Sequence, residues 1–361
     1  MQNDPKTVRL KGVENLPHFS KSRIMISSRH KITEQEVGGG MKTVANKVKT
    51  PKPGGSVRNG RLTGAGKAFR NWQLYLMILP ALAYIICFAY FPMYGVQIAF
   101  RNFNFKGGIT GSPWVGWKNF DRLFSSYWFP IILKNTLTLS SLSLVLSFPL
   151  PIIFALMANE LRNEKLKRTL QTVSYAPHFI STVVMCGMLI LLLSPSSGIV
   201  NTLITLCGGE PVQFLGDPKK FKWVYVLSGI WQGTGWASII YFSALSAVDK
   251  EILEAAEIDG ANRMQRIWYI NLPVLIPTIM IQFILSCGSI MSVGYEKVFL
   301  LQNNANLVAS EVISTYVYKV GLEQFSYSFS AAVGVFNSVV NCIMLITVNF
   351  IARKTTKQSL W

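Results

Sequence analysis

Few residues of this chain combine the types and spacing that catalysis needs. Its 361 residues include 3 histidines, of which His18 and His30 lie in a basic N-terminal stretch and His178 follows Pro177 without a histidine or cysteine companion. The 5 cysteines (Cys87, Cys186, Cys207, Cys287 and Cys342) occur singly. They offer neither metal-ligand spacing nor a disulfide framework and read as small packing residues. Residues 64–67 fall short of a phosphate-binding loop: the preceding glycine is missing at the required offset, and Ala68 stands where Ser or Thr would hold magnesium. The expectation is a chain with no catalytic residue, no metal site and no cofactor of its own.

Polar side chains concentrate instead at residues 249–273, between two long apolar runs. Ile252, Leu253 and Ala256 fall at i, i+1 and i+4, an apolar stripe, while Glu251, Glu254 and Glu257 share a second helical face. Alanine and glutamate favour helix, and Gly260 can take the left-handed conformation that ends one. Arg263 and Arg266 then open a second helical segment, which passes into apolar sequence near Ile267 with Pro273 and Pro277 in its first turns. The expected product is a helix, a glycine turn and a second helix, a rigid knob at a membrane face.

The elements that must carry this knob are membrane spans. Half of the residues are hydrophobic and 14% are charged, against roughly 25% charged in soluble domains. Nearly uncharged runs at residues 71–100, 135–159, 169–209, 223–248, 267–295 and 324–352 each reach the roughly 20 residues needed to cross a bilayer. The third exceeds one crossing, so its helix is expected to end near Leu193, before Ser194-Pro195. The fold class predicted is therefore all-α, a membrane protein of six transmembrane helices occupying residues 71–355, with a short C-terminal tail at 356–361. With six spans both termini share one side, and that side would hold 25 of the 35 Lys and Arg. The positive-inside rule places the termini and residues 249–273 in the cytoplasm.

Residues 1–70 carry 15 of the Lys and Arg against 4 acids and are expected to be disordered, in contact with anionic lipid headgroups. No stacking aromatics or folded motif accompany this charge, so nucleic acid is not an expected partner. Gly38-Gly39-Gly40 before Met41 implies a purine-rich codon tract, and Met41 is the expected natural start. No secretory leader is read before the first span.

The stretch EAAEIDGANRMQRIWYINLP at 254–273 resembles the EAA loop of binding-protein-dependent ABC importers, the cytoplasmic segment of a permease subunit that docks into the ATPase. Further motifs are similar to the polysaccharide branch of the maltose-type importers: Phe91-Pro92-Met93-Tyr94-Gly95, Val115-Gly116-Trp117-Lys118-Asn119-Phe120, Asn135-Thr136-Leu137, residues 312–318 and residues 332–341. The resemblance spans residues 70–355. It implies a type I ABC importer permease fold with a cytoplasmic coupling helix in a bacterial inner membrane. The implied partners are a second permease subunit in a heterodimer, two copies of an ATPase that holds ATP and magnesium, and an extracytoplasmic solute-binding protein. The implied ATPase-coupling residues are Glu254, Ala255, Ala256, Asp259, Gly260, Arg263, Ile270, Leu272 and Pro273. Glu254 is the expected docking contact, the alanines allow close approach, and Gly260 sets the turn. The implied mechanism is alternating access, in which closure of the ATPase dimer draws the knobs of two permeases together.

A sugar path should mix aromatic faces with amides. Trp231, Gln232, Trp236 and Tyr241 in the fourth run, Gln282 and Tyr295 in the fifth, and Asn337 and Asn341 in the sixth provide such a set. Each also has a structural reading, as a packing aromatic or an interhelical hydrogen-bonding group. Glu296 reads as a solvated acid or a partner of Lys297. An amino-acid or peptide permease is the alternative within the importer class. A secondary transporter would need ionisable residues inside its spans, where His178 stands alone, and a membrane enzyme would need a catalytic cluster.

Overall fold

The structure, a computed structural model, describes residues 72–356 and 359–360; the basic tail at 1–70 and the expected start at Met41 lie outside them. Among the described residues every regular element is helical, and extended pairing is limited to isolated bridges at Arg101/Trp114 and Asn104/Gly108. Apolar sequence has no side-chain groups to satisfy its own backbone, and a helix does so internally.

Helix α1 (Trp72–Ile85) continues through a π turn (Ile86–Tyr90) and ends in a 3-10 helix at Tyr94–Phe100. Helix α2 (Trp128–Ser147) runs directly into α3 (Pro149–Asn159). Next come α4 (Glu164–Tyr175), α5 (Thr182–Leu192) and the long α6 (Pro218–Leu245). The knob consists of α7 (Lys250–Ile258) and α8 (Arg263–Arg266), followed by a π turn (Ile267–Asn271) and α9 (Leu272–Gly288). Helices α10 (Tyr295–Leu301), α11 (Ile313–Tyr318) and α12 (Tyr327–Thr356) complete the bundle.

Two of the π turns stand just before a proline, Pro92 and Pro273. A proline has no N–H, and its ring crowds the carbonyl four residues back. The extra residue of a π turn shifts the register ahead of that point. Thus Phe91 donates to the Ile86 carbonyl and Leu272 to the Ile267 carbonyl, and the helices continue past the prolines.

Four helices among the described residues are long and apolar enough to cross a membrane: Trp72–Phe100, Trp128–Asn159, Arg263–Gly288 and Tyr327–Thr356. The third apolar run does not form the single span expected from it. Its sequence splits into Glu164–Phe179 and Thr182–Leu192, bent by 93°. Pro177 and the extended residues Ile180 and Ser181 break the helix between them. The expected end near Leu193 does coincide with the C-cap of α5. Helix α6, at 28 residues, is long enough but more polar than the four, with three lysines in its first turns and Gln232 and Thr234 at mid-length.

Four apolar clusters hold the bundle, one of them joining Ala99 and Phe120 to Ala332 of α12. Ile152, Ala155 and Leu156 of α3 pack on Tyr241, Phe242 and Leu245 of α6 and on Leu275 of α9. Leu139, Met185, Cys186, Phe221, Val298 and Val312 join α2, α5, α6 and α10. Leu123, Ile132, Met291, Ile313, Phe329 and Val333 join α2, α11 and α12. Polar groups then fix the register. Asn135 donates to the carbonyls of Val308 and Glu311, and Thr136 accepts from the Ile313 N–H. Glu311, 3% exposed, pairs with Lys319 at 2.6 Å. Helix α1 is the exception to all this packing, because none of its residues is buried.

Candidate functional site

The knob is shaped by three caps. Asp249 accepts from the Glu251 N–H to start α7. Gly260, at φ +79, ends it: Ala261 donates to the Ala256 carbonyl at 2.9 Å and Gly260 to that of Glu257 at 3.1 Å. This is the paired closure that a left-handed glycine permits. Asn262 then opens α8 in a capping box, accepting from the Gln265 N–H at 2.9 Å while its own N–H donates to Gln265 Oε1 at 2.8 Å. With a single residue between the two caps, the angle between α7 and α8 is fixed locally.

Arg266 anchors this unit to the bundle. Its Nη2 donates to Glu160 Oε2 at 2.7 Å and its Nη1 to Glu257 Oε1, while Asn271 Nδ2 donates to Glu160 Oε1 at 2.8 Å. The Arg266 and Glu160 side chains are each 10% exposed. A planar guanidinium suits this task, because one cation can be shared by carboxylates from two elements with directional bonds to both. The last residue of the α2–α3 rod, the exposed helix α7 and the first turn of the next span therefore meet at one charged group. Glu160, Glu257, Arg266 and Asn271 were not among the coupling residues expected from the sequence. The pair Glu160–Arg266 is 106 residues apart, and no helical spacing rule reaches that far.

The expected coupling residues divide by exposure. Glu254, Ala255, Asp259, Gly260 and Arg263 are exposed, as is Pro273, while Ile270 and Leu272 are half-buried. Ala256 is also half-buried and lies three residues after half-buried Leu253, on one face of α7. Ile252, Ile258 and Met264 stand exposed around the polar groups.

A cavity of about 840 Å³ opens between α2, α3, α6, α9 and the residues after α9. Ser140, Ser143 and Ser147 line one wall at i, i+3 and i+7 of α2, and Ser243, Ser286, Ser289 and Ser292 contribute to the others. Several of the helical serines elsewhere bond back to the preceding turn, and a hydroxyl retains acceptor capacity when it does so. Hydroxyls and apolar ring faces set side by side suit a polar solute that also has apolar surfaces.

Of the residues expected to form a sugar path, Trp236, Tyr241 and Gln282 line this cavity. Trp236 lies 4.5 Å from the parallel ring of His178, so the imidazole covers one face of the indole. Tyr241 is 3% exposed and belongs to the packed wall. The other five do not line it. Trp231 is half exposed away from the cavity; Gln232 donates to the Ile180 carbonyl at 2.9 Å, tying α6 to the bend between α4 and α5. Tyr295 stacks on Phe299 and Tyr318. Asn341 accepts from the Met291 N–H and donates to Ser292, and Asn337 has a buried Oδ1 without a protein partner. Gln232 and Asn341 thus make the interhelical bonds that their structural reading expects. The serine stripe was missed, although the i, i+3, i+7 spacing of Ser140, Ser143 and Ser147 in an apolar run signals it. Glu296 is exposed, and Lys297 turns from it to the Tyr225 carbonyl at 2.7 Å.

Residues 147–357 match the family described as binding-protein-dependent transport system inner membrane component. The polygalacturonan/rhamnogalacturonan transport system permease protein YteP of Bacillus subtilis (strain 168) is 42% identical over 82% of this chain and 92% of its own length. A chain in the crystal structure of a bacterial ABC transporter involved in the import of the acidic polysaccharide alginate superposes with a TM-score of 0.74 at 39% identity, covering 80% of this chain and 98% of that one. A chain of the alginate transporter in complex with an alginate pentasaccharide-bound periplasmic protein gives 0.75 at 38% identity, covering 81% and 98%. The matched family residues include the whole of α6 to α12 with the knob and most of the cavity wall, and this chain belongs to that family of multi-pass ABC importer permeases.

Proposed function

We propose that this chain is the transmembrane subunit of an ATP-driven importer and supplies half of the pathway for an oligosaccharide or polysaccharide fragment. The observation that carries this reading is the exposed knob of α7 and α8, held by buried Arg266 to the end of α3 and the start of α9. A loop meant only to connect two spans needs no such anchorage. A lever does, because movement of α7 then reaches the walls of the cavity. Two copies of an ATPase would grip α7 at Glu254, Ala255 and the exposed Ile252, Ile258 and Met264, and ATP and magnesium would be held there and not by this chain. A second, different permease subunit would complete the pathway, and a loaded solute-binding protein would deliver the sugar. Six crossings are reached by counting α6 and the bent pair α4–α5 with the four long apolar helices. Both termini and the knob then lie in the cytoplasm by the charge count.

The sugar reading is favoured over an amino-acid or peptide permease by the cavity, whose lining side chains include no charged group among the described residues. A zwitterionic solute would need fixed charges of both signs there, and no carboxylate lines the cavity among the described residues. The test is reconstitution in lipid nanodiscs of this chain with its companion permease and ATPase. ATP hydrolysis should rise severalfold when a binding protein loaded with oligosaccharide is added, and not with the unloaded protein or amino acids. Equal hydrolysis under all three conditions would remove the reading.

A further inference from the structure

Beside the cavity stands a lysine, Lys297, that forms no ion pair among the described residues. Lys297 lies on α10, three residues after Gly294, and its Nζ donates to the Tyr225 carbonyl at 2.7 Å while standing 4.6 Å from the centroid of the Tyr225 ring. Tyr225, Val293 and Gly294 all line the cavity. The amine sits against Gly229, where an added Cβ would come within 3.1 Å of it, so α6 leaves a notch at this point. Two other sheltered basic side chains have acids: Lys319 has Glu311, and Arg266 has Glu160 and Glu257. Lys297 forms no ion pair among the described residues, and an ammonium with three N–H donors has one oxygen within hydrogen-bond distance.

Sheltering a cation without a counter-ion is costly, and the ring face of Tyr225 offsets only part of that. Ionisable groups kept inside membrane proteins mark the path of what is carried. The stem of lysine is long and flexible, and three residues of helix rise about 4.5 Å, so the amine can turn from the carbonyl toward the cavity edge at Gly294. A carboxylate arriving there would supply the missing charge.

We propose that Lys297 is a specificity-determining residue that selects oligosaccharides bearing ring carboxylates, uronates, over neutral ones of the same length. This rests on the cavity being the oligosaccharide site. Two of the relatives named above import acidic polysaccharides, polygalacturonan and alginate, which agrees with the inference but does not locate the group responsible.

The experiment measures equilibrium binding of trigalacturonate and of its carboxyl-reduced, neutral counterpart to the assembled permease–ATPase complex. Nanodiscs of zwitterionic lipid without binding protein remove competing anionic headgroups and the binding protein's own selectivity. Wild type should favour trigalacturonate by roughly tenfold, about 1.4 kcal/mol, with the preference shrinking as salt is raised. Lys297→Gln should bind both probes alike, at the affinity of the wild type for the neutral one, and Lys297→Arg should retain most of the preference. The inference is overturned if Lys297→Gln keeps the preference, if it weakens both probes equally, or if wild type favours the neutral probe. Absence of binding by both probes to wild type also overturns it. Stimulation of ATP hydrolysis by loaded binding protein, measured on the same nanodiscs, tells whether importer function itself survives that outcome.

Discussion

Arg266 decides whether the knob is part of the bundle or hangs from it. Its side chain and that of Glu160 are each 10% exposed, and removing one partner of a buried pair strands the other, at roughly 3–5 kcal/mol. Arg266→Ala should therefore lower the thermal unfolding midpoint of the purified complex clearly, while Glu257→Ala, whose carboxylate is half exposed, should lower it much less. Equal shifts would mean that Glu160 is not the dominant partner. Gly260 tests the turn. At φ +79, with no atom within 4 Å of an added Cβ, it has space for a side chain but a backbone that a side chain disfavours by about 1–2 kcal/mol. Gly260→Leu should leave the chain inserted and assembled yet reduce substrate-stimulated ATP hydrolysis several-fold. Normal stimulation in that variant would show that the turn does not set the coupling geometry. Both residues were visible in the sequence, but only the glycine announced its role. A left-handed cap is a local requirement, whereas the partner of Arg266 is settled by which helix end arrives beside it.

Among the helices, α6 bears most of the architecture. It contributes to the packing against α3, to the cluster with α2, α5 and α10, and to the cavity wall. Gly235 lets it approach α4 so closely that a Cβ there would overlap the Ser174 carbonyl. Alanine ordinarily stabilises a helix relative to glycine, but the obstacle here is backbone. Gly235→Ala should thus destabilise the fold by roughly 1–3 kcal/mol, read as an earlier unfolding transition in detergent. The serine face of α2 invites the opposite experiment. Ser143→Phe would fill part of the roughly 840 Å³ cavity and should abolish sugar uptake with assembly and thermal stability unchanged; retained uptake would place the path elsewhere. The bend between α4 and α5 explains why the third apolar run is not one straight helix. Hydropathy records how apolar a segment is, while Pro177 and the extended Ile180 and Ser181 decide its direction.

For the molecule as a whole, α1 is incomplete as it stands. None of its residues is buried among the described residues, and an apolar helix left so exposed calls for lipid or another protein to cover it. Purification of the chain without its companions should yield protein that unfolds at markedly lower temperature than in the complex, and co-expression of the second permease should restore it; identical midpoints would mean that lipid alone covers α1. The amino-acid sequence determined the helical class, the apolar segments and the helix–turn–helix of the knob, because backbone satisfaction in an apolar setting and the left-handed cap at Gly260 act over a few residues. It also singled out Trp236 and Gln282, which line the cavity. Only the tertiary structure decided that Gln232, Tyr295 and Asn341 hold the walls together, that Ser140, Ser143 and Ser147 form one of those walls, and that Glu160 meets Arg266. Each of those outcomes depends on which groups from distant segments come within about 3 Å of one another, and that distance is set by the packing of whole helices.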